Sequence, residues 1–333
     1  MLYRQLGKSG IEASVVAFGA WAIGGWMWGG AEESQALKAI NVGLDEGMNF
    51  IDTAPIYGFG SSEKLVGRAI KGRRDQVVLA TKCGLVWDRQ GSSLHCYADR
   101  NKVTNEPSEV TVYRSLRPQS IVQELEQSLR RLQTDYVDLY QTHWQDDVVP
   151  IEETMAALMN LKQQGKIRAI GVSNANVDHL QQYGQVDADQ EKFSMLDRQI
   201  ERNKQLAYCN KQDIAVLAYS PLAQGLLTGK VTPERAFDQG DQRRTKPRFA
   251  LKNRQRVSQM LAQLQPLAHE HDVTLGQLVI AWTFSQPGLT HVLCGVRRPE
   301  QARENAAAGR LRLSDDELSQ ISDIITTHES EIV

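Results

Sequence analysis

The chain alternates short apolar, β-branched runs with longer amphipathic stretches between about residue 15 and residue 308. The runs have the length and composition of buried strands, and the stretches place apolar residues at helical spacing. Such alternation is typical of repeated βαβ units, whose strands lie parallel in one sheet. The pattern predicts eight strands, the sixth of them weak, at residues 14–18, 49–52, 77–82, 136–141, 167–173, 192–195, 215–219 and 290–294.

Eight strands with helical crossovers fit either a doubly wound open sheet or a closed barrel. Such an open sheet usually carries a GxGxxG turn after its first strand, whereas the first strand here leads into GAWAIGGWMWGG. A barrel takes about 250 residues before insertions. The surplus fits a hairpin at residues 2–14 that caps the barrel floor, polar insertions at 84–117 and 231–253, and a capped final helix from Ser314. We predict an α/β fold, a (β/α)8 TIM barrel with extended loops at its mouth, as one domain over residues 1–333.

Composition narrows the class of partner. Lysine and arginine number 38 against 40 aspartate and glutamate, a formal net charge of -2, so no overall field favours nucleic acid or an anionic membrane. No signal peptide and no membrane span is evident, and we expect a cytoplasmic enzyme of small molecules. The cysteines lack CxxC spacing, which favours reduced thiols and no metal site. The oligomeric state is not indicated.

In a β/α barrel the chemistry collects where the strands end at their carboxyl side. The second predicted strand ends in Asp52 and is followed by Tyr57, the third ends in Lys82, and the fourth ends near His143. A carbonyl that receives hydride also needs a proton, and Tyr57 is the candidate donor. We expect the Lys82 ammonium to lower the phenol pKa from about 10, Asp52 to hold Lys82, and His143 to orient the substrate.

Simpler interpretations exist for each of these residues. Asp52 and Lys82 would also suit an ion pair on the barrel rim, Tyr57 a loop aromatic, and His143 a core histidine with a satisfied ring. A Schiff-base aldolase or isomerase using Lys82 is another alternative. The neighbouring Asp52 argues against it, because an ionic partner keeps a lysine protonated. The joint placement of the four residues at successive strand ends favours the proton-donating site.

Several longer motifs carry a family resemblance. They are AFGAWAIGG, NFIDTAPIYGFGSSEKLVGRAI, ATKCG, DLYQTHW, IGVSN, AYSPLAQGLLTGK and CGVRRPEQARENAAA. Over nearly its whole length the chain resembles the aldo-keto reductase superfamily, in particular its bacterial branch of aldehyde, methylglyoxal and polyol-acting reductases. The resemblance implies reversible reduction of small aldehydes or ketones, with Tyr57 as general acid and Lys82, Asp52 and His143 completing the tetrad. A slow, redox-sensing regulatory subunit on the same fold stays open as an alternative.

The resemblance also implies a nicotinamide cofactor extended across the barrel mouth. Ser173, Asn174 and Gln190 would bind the carboxamide, Tyr219 would stack on the nicotinamide ring, and the following segment would hold the pyrophosphate. Arginine can grip a 2′-phosphate with two hydrogen bonds, so Arg297 favours NADPH, although Gly295 and Val296 replace a lysine–serine pair of some relatives and NADH stays possible. The expected cofactor contacts are Ala20, Trp21, Asp52, Ser173, Asn174, Gln190, Tyr219, Ser220, Leu222, Gly225, Lys230, Gly295, Arg297, Gln301 and Asn305.

Aromatic residues crowd the loops at the predicted mouth. Trp21, Trp26 and Trp28 follow the first strand, and Trp144 follows His143. Together with Tyr57 and His143 they predict a tight aromatic substrate pocket for a small aldehyde or ketone. Packing of this cluster against the long insertion is the alternative.

Overall fold

The computed structural model describes residues 1–99, 101–329 and 331–332 of the chain. Its strands follow one another in chain order as β1 Tyr3–Gln5, β2 Glu12–Ser14, β3 Val16–Gly19, β4 Phe50–Asp52, β5 Val78–Cys83, β6 Leu85–Val86, β7 Ser93–Ala98, β8 Val103–Thr104, β9 Val110–Arg114, β10 Val137–Thr142, β11 Ile167–Ser173, β12 Ala188–Lys192, β13 Ala215–Tyr219 and β14 Leu289–Gly295.

The α-helices are distributed between and after these strands. They are α1 Glu33–Asp45, α2 Ser61–Ala69, α3 Pro118–Leu132, α4 Ile151–Gln163, α5 Val177–Tyr183, α6 Gln199–Arg202, α7 Gln205–Lys211, α8 Leu251–Glu270, α9 Leu275–Ser285, α10 Pro299–Ala308 and α11 Asp315–Glu329. The final helix begins with the expected cap, since the Ser314 hydroxyl accepts from the Glu317 amide and Glu317 accepts from the Ser314 amide. No helix of the described ranges combines the length and apolar composition needed to cross a bilayer.

Eight strands close into a parallel barrel in the order β3-β4-β5-β10-β11-β12-β13-β14, which confirms the predicted fold. Inward-pointing side chains such as Ala17, Phe50 and Leu139 fill its lower part. The hairpin of β1 and β2 adds Leu6 and Ile11 to the same apolar cluster. It therefore covers the floor of the barrel and leaves the opposite end to carry the chemistry.

The sixth barrel strand differs from its predicted position. We expected residues 192–195, and the structure places β12 at Ala188–Lys192. Three consecutive polar residues, Asp189, Gln190 and Glu191, are buried in this strand. Because apolar runs are what identify a buried strand in sequence, this polar run hid the strand and shifted its expected start.

The first insertion is a folded sheet beyond the barrel. Strands β6, β9, β7 and β8 pair in that order as an antiparallel four-stranded sheet. Arg114 at the end of β9 donates to the Gln145 carbonyl, 3.3 Å away, just after barrel strand β10. The insertion expected at 84–117 thus becomes a structured rim. The second one, near 231–250, contains short 3-10 turns and then enters α8.

Candidate active site

The ends of β4 and β5 bring Asp52, Lys82 and Tyr57 together. Lys82 Nζ lies 2.7 Å from Asp52 Oδ2, 2.9 Å from Asp52 Oδ1 and 3.3 Å from the Tyr57 hydroxyl. The lysine is fully buried and Asp52 nearly so. An ammonium in such a place needs a charged partner and further acceptors, which Asp52 and the Thr53 carbonyl, at 3.0 Å, supply. Lys82 is therefore held so that it can donate a hydrogen bond to the Tyr57 hydroxyl.

Two glutamine side chains on other barrel strands fix the carboxylate. Gln190 of β12 donates to Asp52 Oδ1 at 2.8 Å, and Gln141 of β10 donates to the same oxygen at 3.3 Å. Both amides are buried. The sequence interpretation gave Gln190 to the cofactor and missed Gln141. The sequence marks Gln141 only as an amide near the end of the predicted strand VDLYQT. In the structure Gln141 is in register with Lys82 on the neighbouring strand.

The electrostatics of Tyr57 differ from the expectation. Burial raises the phenol pKa well above its usual value of 10, and the negative Asp52 carboxylate adds to the rise. Burial also lowers the pKa of Lys82, although Asp52 opposes that shift. Since Asp52 neutralises the ammonium at close range, Lys82 does not dominate the field at the phenol. Tyr57 keeps its proton, as a donor should, and the predicted lowering of its pKa was wrong.

His143 lies beside the phenol as a neutral ring. Its ring centroid is 5.8 Å from that of Tyr57, with the planes at 83°. Burial lowers the imidazole pKa well below 6.5, and the charges of Lys82 and His95 lower it further. A neutral imidazole can give or accept a hydrogen bond but carries no acidic proton at neutral pH. Neutral His143 is therefore suited to a hydrogen bond that orients a substrate oxygen.

Two of the predicted tryptophans complete an aromatic wall next to Tyr57. The Trp21 ring lies 6.1 Å from Tyr57 and 5.3 Å from Trp28, which it meets edge to face. With His143 on the other side, aromatic surfaces flank the phenol. Such a wall favours a small, compact substrate.

The other two predicted pocket tryptophans are engaged elsewhere. The Trp26 ring packs 5.0 Å from Phe59, and its indole N–H donates to the Asp99 carbonyl at 3.0 Å. The Trp144 ring packs 5.4 Å from His95, with the Arg114 guanidinium over its face. Both tie the barrel loops to the inserted sheet, which is the packing alternative considered from the sequence.

The residues expected to bind the carboxamide and to stack on the nicotinamide ring lie on or directly after β11, β12 and β13. Asn174 is in a left-handed conformation with φ of 55°. Its Nδ2 donates to the His143 carbonyl at 2.9 Å, and its Oδ1 accepts from the Tyr219 hydroxyl at 2.9 Å. The Ser173 hydroxyl donates to the Gln190 carbonyl at 2.8 Å. These contacts hold Asn174 and the Tyr219 ring at the mouth in one arrangement.

The segment after β13 has an unusual backbone. Ser220, Ala223 and Gln224 all have positive φ, at 57°, 46° and 58°. Such conformations cost energy in non-glycine residues and cluster at ligand clamps. Leu222 and Gly225, also expected cofactor contacts, lie in the same segment and are half-buried. The strained turn fits a backbone cradle for a phosphate group.

The cationic residues expected near the phosphates have protein partners. Lys230 Nζ forms an ion pair with Glu304 at 2.7 Å. The Arg297 guanidinium donates to the Trp28 carbonyl at 3.1 Å and the Gly30 carbonyl at 2.7 Å. Arg297 thus fastens the loop after β3 to the start of α10. Two of its five N–H donors are thus bound to main-chain carbonyls.

The remaining expected contacts are placed around these elements. Gln301 Oε1 accepts from the backbone amides of Arg297 and Arg298, at 2.9 and 3.1 Å, and so caps α10. Asn305 is buried on α10, and Gly295 is exposed at the end of β14. Ala20 is fully buried, and its amide donates to the Asp52 carbonyl at 2.9 Å. Ala20 therefore supports the strand end rather than the mouth surface.

Comparison with known proteins agrees with this geometry. Residues 15–326 match the aldo/keto reductase family. An NADH-specific methylglyoxal reductase from Escherichia coli (strain K12) is 44% identical over 319 residues, covering 93% of this chain and 94% of that protein. The structure of a glycerol dehydrogenase from Gluconobacter oxydans matches with a TM-score of 0.84 and 36% identity, covering 98% and 95% of the two chains.

A third relative adds a ligand-bound structure. An aldo/keto reductase from Klebsiella pneumoniae, solved in complex with NADP and acetate, matches with a TM-score of 0.69 and 28% identity, covering 96% of this chain and 94% of that chain. Both the family match and the identity of the Escherichia coli relative extend over nearly the whole chain. The chain therefore belongs to the aldo/keto reductase family, as an NAD(P)H-dependent oxidoreductase acting on carbonyl groups.

Proposed function

We propose that this reductase acts on small aldehydes and ketones, with Tyr57 as the proton donor. The observation that carries the proposal is the 3.3 Å contact between Lys82 Nζ and the Tyr57 hydroxyl, set in a buried network. A bound nicotinamide cofactor supplies the hydride. The Tyr57 hydroxyl donates its proton to the substrate oxygen, and the Lys82 ammonium stabilises the phenolate that remains. Asp52 keeps Lys82 protonated, and neutral His143 orients the substrate oxygen.

The cofactor site is proposed at the ends of β11 to β14. Asn174 and Ser173 would bind the carboxamide, and the Tyr219 ring would support the nicotinamide. The strained turn at Ser220 to Gln224 and the open backbone at Gly295 would carry the phosphates, because backbone amides in such turns suit anions. The residues present thus fit a dinucleotide extended across the mouth.

We propose dual cofactor use, with weak discrimination between NADPH and NADH. The preference for NADPH expected from the sequence rested on Arg297, whose guanidinium is bound to two carbonyl groups. Arg298 is exposed beside it and is the better candidate for a 2′-phosphate. An exposed ion pair contributes about 1 kcal/mol or less, which is about fivefold in affinity. One relative is NADH-specific and another was solved with NADP, so both cofactors occur among the relatives.

Methylglyoxal is the first substrate to test. The aromatic wall of Trp21, Trp28, Tyr57 and His143 favours a compact carbonyl compound, and a methylglyoxal reductase is among the relatives. The assay follows loss of nicotinamide absorbance with methylglyoxal and other short aldehydes, and glycerol oxidation in the reverse direction. Turnover at several per second with a short aldehyde supports the proposal. Tight cofactor binding without turnover of any member would instead favour a redox-sensing regulatory subunit.

The beginning of the chain is in contact with its C-terminal part. We propose that the chain acts as one domain, because the Leu2 amide bonds to the Gly309 carbonyl at 2.9 Å and α1 packs on α10. Limited proteolysis should then release no half that stays folded and binds cofactor.

A further inference from the structure

Two carboxylic acids are buried side by side on the outer face of β12. Asp189 and Glu191 are two residues apart and share one face of the strand, while Gln190 between them enters the barrel. Asp189 is fully buried and Glu191 is 7% exposed. Buried carboxylates normally pair with a cation. Among the described residues, no lysine, arginine or histidine forms an ion pair with either group.

Among the described residues, hydrogen-bond donors reach only one of the two oxygens of Asp189. Asp189 Oδ2 accepts from Gln205 Nε2 at 2.8 Å and lies 3.7 Å from Cys209 Sγ. Asp189 Oδ1 is buried and has no such donor in the described part of the chain. The Glu191 carboxyl group is its neighbour on the same face of the strand. Two carboxyl groups can hydrogen-bond only when one of them is protonated.

Protonation of Glu191 agrees with its surroundings. Burial raises the pKa of Glu191, and the charge of Asp189 raises it further. Burial also raises the pKa of Asp189, though Gln205 and Cys209 oppose that shift through hydrogen bonds. Both pKa values are shifted upward, so the surroundings favour one proton held by the pair.

The pair is connected to the cofactor site through one peptide unit. Glu191 Oε1 accepts from the Ala175 amide at 2.8 Å, and Gln205, which donates to Asp189, also donates to the Ala175 carbonyl at 2.9 Å. Both polar atoms of Ala175 are thus bound to this cluster. Ala175 directly follows Asn174, whose left-handed backbone presents its amide to His143 and Tyr219. The conformation of Asn174 therefore depends on how Ala175 is held.

We propose that Asp189 and Glu191 share one proton and act, through Ala175, as positioning residues that set the Ser173–Asn174 turn for nicotinamide binding. This inference rests on the proposed role of that turn. Loss of the shared proton would leave two adjacent buried negative charges, which repel each other and loosen the bond to Ala175. Cofactor affinity therefore falls as the pH rises toward the titration of Glu191.

Other titratable groups lie near the Asp189–Glu191 pair. Cys209 of α7 and Tyr219 of β13 are the groups that interact with it, and burial raises both of their pKa values further. Lys192, the next residue on the strand, is paired with Asp197 at 2.8 Å. Lys82, whose pKa burial lowers, is present in both the wild type and Glu191→Gln, so the difference between their pH profiles reports Glu191.

The test measures NADH and NADPH dissociation constants by tryptophan fluorescence quenching between pH 7 and pH 10. Glu191→Ala should weaken both cofactors about tenfold at pH 7.5, because the Ala175 amide loses a buried acceptor. Glu191→Gln should stay within about threefold of wild type, because its amide supplies both the acceptor for Ala175 and a hydrogen for Asp189. Turnover at saturating cofactor should change less than about threefold in Glu191→Gln, and Glu201→Gln, an exposed carboxylate on α6, serves as control.

The pH series separates the shared proton from simple packing. Wild-type affinity should fall about tenfold or more from pH 7.5 to pH 10, whereas Glu191→Gln should stay nearly level. An equal alkaline decline in both proteins would overturn the proposal, as would wild-type affinity in Glu191→Ala. If the wild-type protein bound neither nucleotide, the proposed cofactor site itself would be wrong. Binding that is independent of Glu191 would refute only this inference.

Discussion

Gln190 Nε2 donates to Asp52 Oδ1 across the barrel, 2.8 Å away, to the same oxygen that Lys82 Nζ approaches at 2.9 Å. The sixth barrel strand therefore contributes to the ion pair that lies under Tyr57. A carboxylate with three such donors is fixed in orientation, and it fixes the lysine in turn.

Removing this amide should damage both stability and turnover. We expect Gln190→Met to lower the free energy of unfolding by about 1.5–3 kcal/mol, the range for a hydrogen bond to a charged group, and to lower turnover about tenfold. Urea unfolding and steady-state assays measure the two effects. Gln141→Met is the matched control, since its bond to the same oxygen is longer at 3.3 Å and should be worth less. A larger loss in Gln141→Met would reverse this ranking of the two glutamines.

The two neighbouring arginines at the start of α10 should affect cofactors differently. Arg297→Ala removes two bonds to loop carbonyls and should weaken NADH and NADPH to a similar extent. Arg298→Ala should weaken NADPH about two- to fivefold and leave NADH nearly unchanged, because only NADPH carries the 2′-phosphate. Both pairs of dissociation constants are measured by fluorescence titration. A loss confined to NADPH in Arg297→Ala would restore Arg297 as the phosphate ligand.

Buried histidines should make the fold sensitive to acid. Burial lowers the pKa of His291 to about 3 and of His95 to about 4, and it lowers that of His143 well below 6.5. In the unfolded chain these rings take up protons near pH 6.5, so stability is present above that pH and is lost as the pH falls toward 4. The fully buried His291 alone should contribute a slope of about 1.4 kcal/mol per pH unit.

Urea unfolding at pH 7.5, 6, 5 and 4.5 measures that slope. His291→Gln should flatten it by about one proton, whatever its stability at neutral pH. The same slope in wild type and variant would show that His291 is protonated or exposed in the folded protein.

The placement of the candidate catalytic residues could be predicted because three of them lie at or next to the end of an apolar run. Asp52 ends β4, Lys82 is the last but one residue of β5 and His143 follows β10, and parallel strands present their carboxyl ends at one mouth. Tyr57 lies in the loop that follows the first of these strands, five residues after Asp52. The end of an apolar run in the sequence therefore also marks the end of a strand at the barrel mouth.

What the sequence could not show is which partners satisfy the polar groups. Arg297 bonds to the main-chain carbonyls of Trp28 and Gly30, and a carbonyl has the same chemistry in every residue. The rise of the Tyr57 pKa depends on burial and on the Asp52 charge at a distance that only the fold defines. Strand β12 was misplaced because Asp189 and Glu191 are polar yet buried, which the apolar pattern does not detect.

We propose that Tyr57 donates the proton, and the Tyr57→Phe variant tests this role most directly. The phenylalanine keeps the ring beside Trp21 and His143 and removes only the hydroxyl that Lys82 approaches. The variant should bind NADH and NADPH within about threefold of wild type and turn over methylglyoxal, or the best aldehyde of the panel, at least about a hundredfold more slowly. Turnover above about a tenth of the wild-type value, with unchanged cofactor affinity, would show that another group delivers the proton.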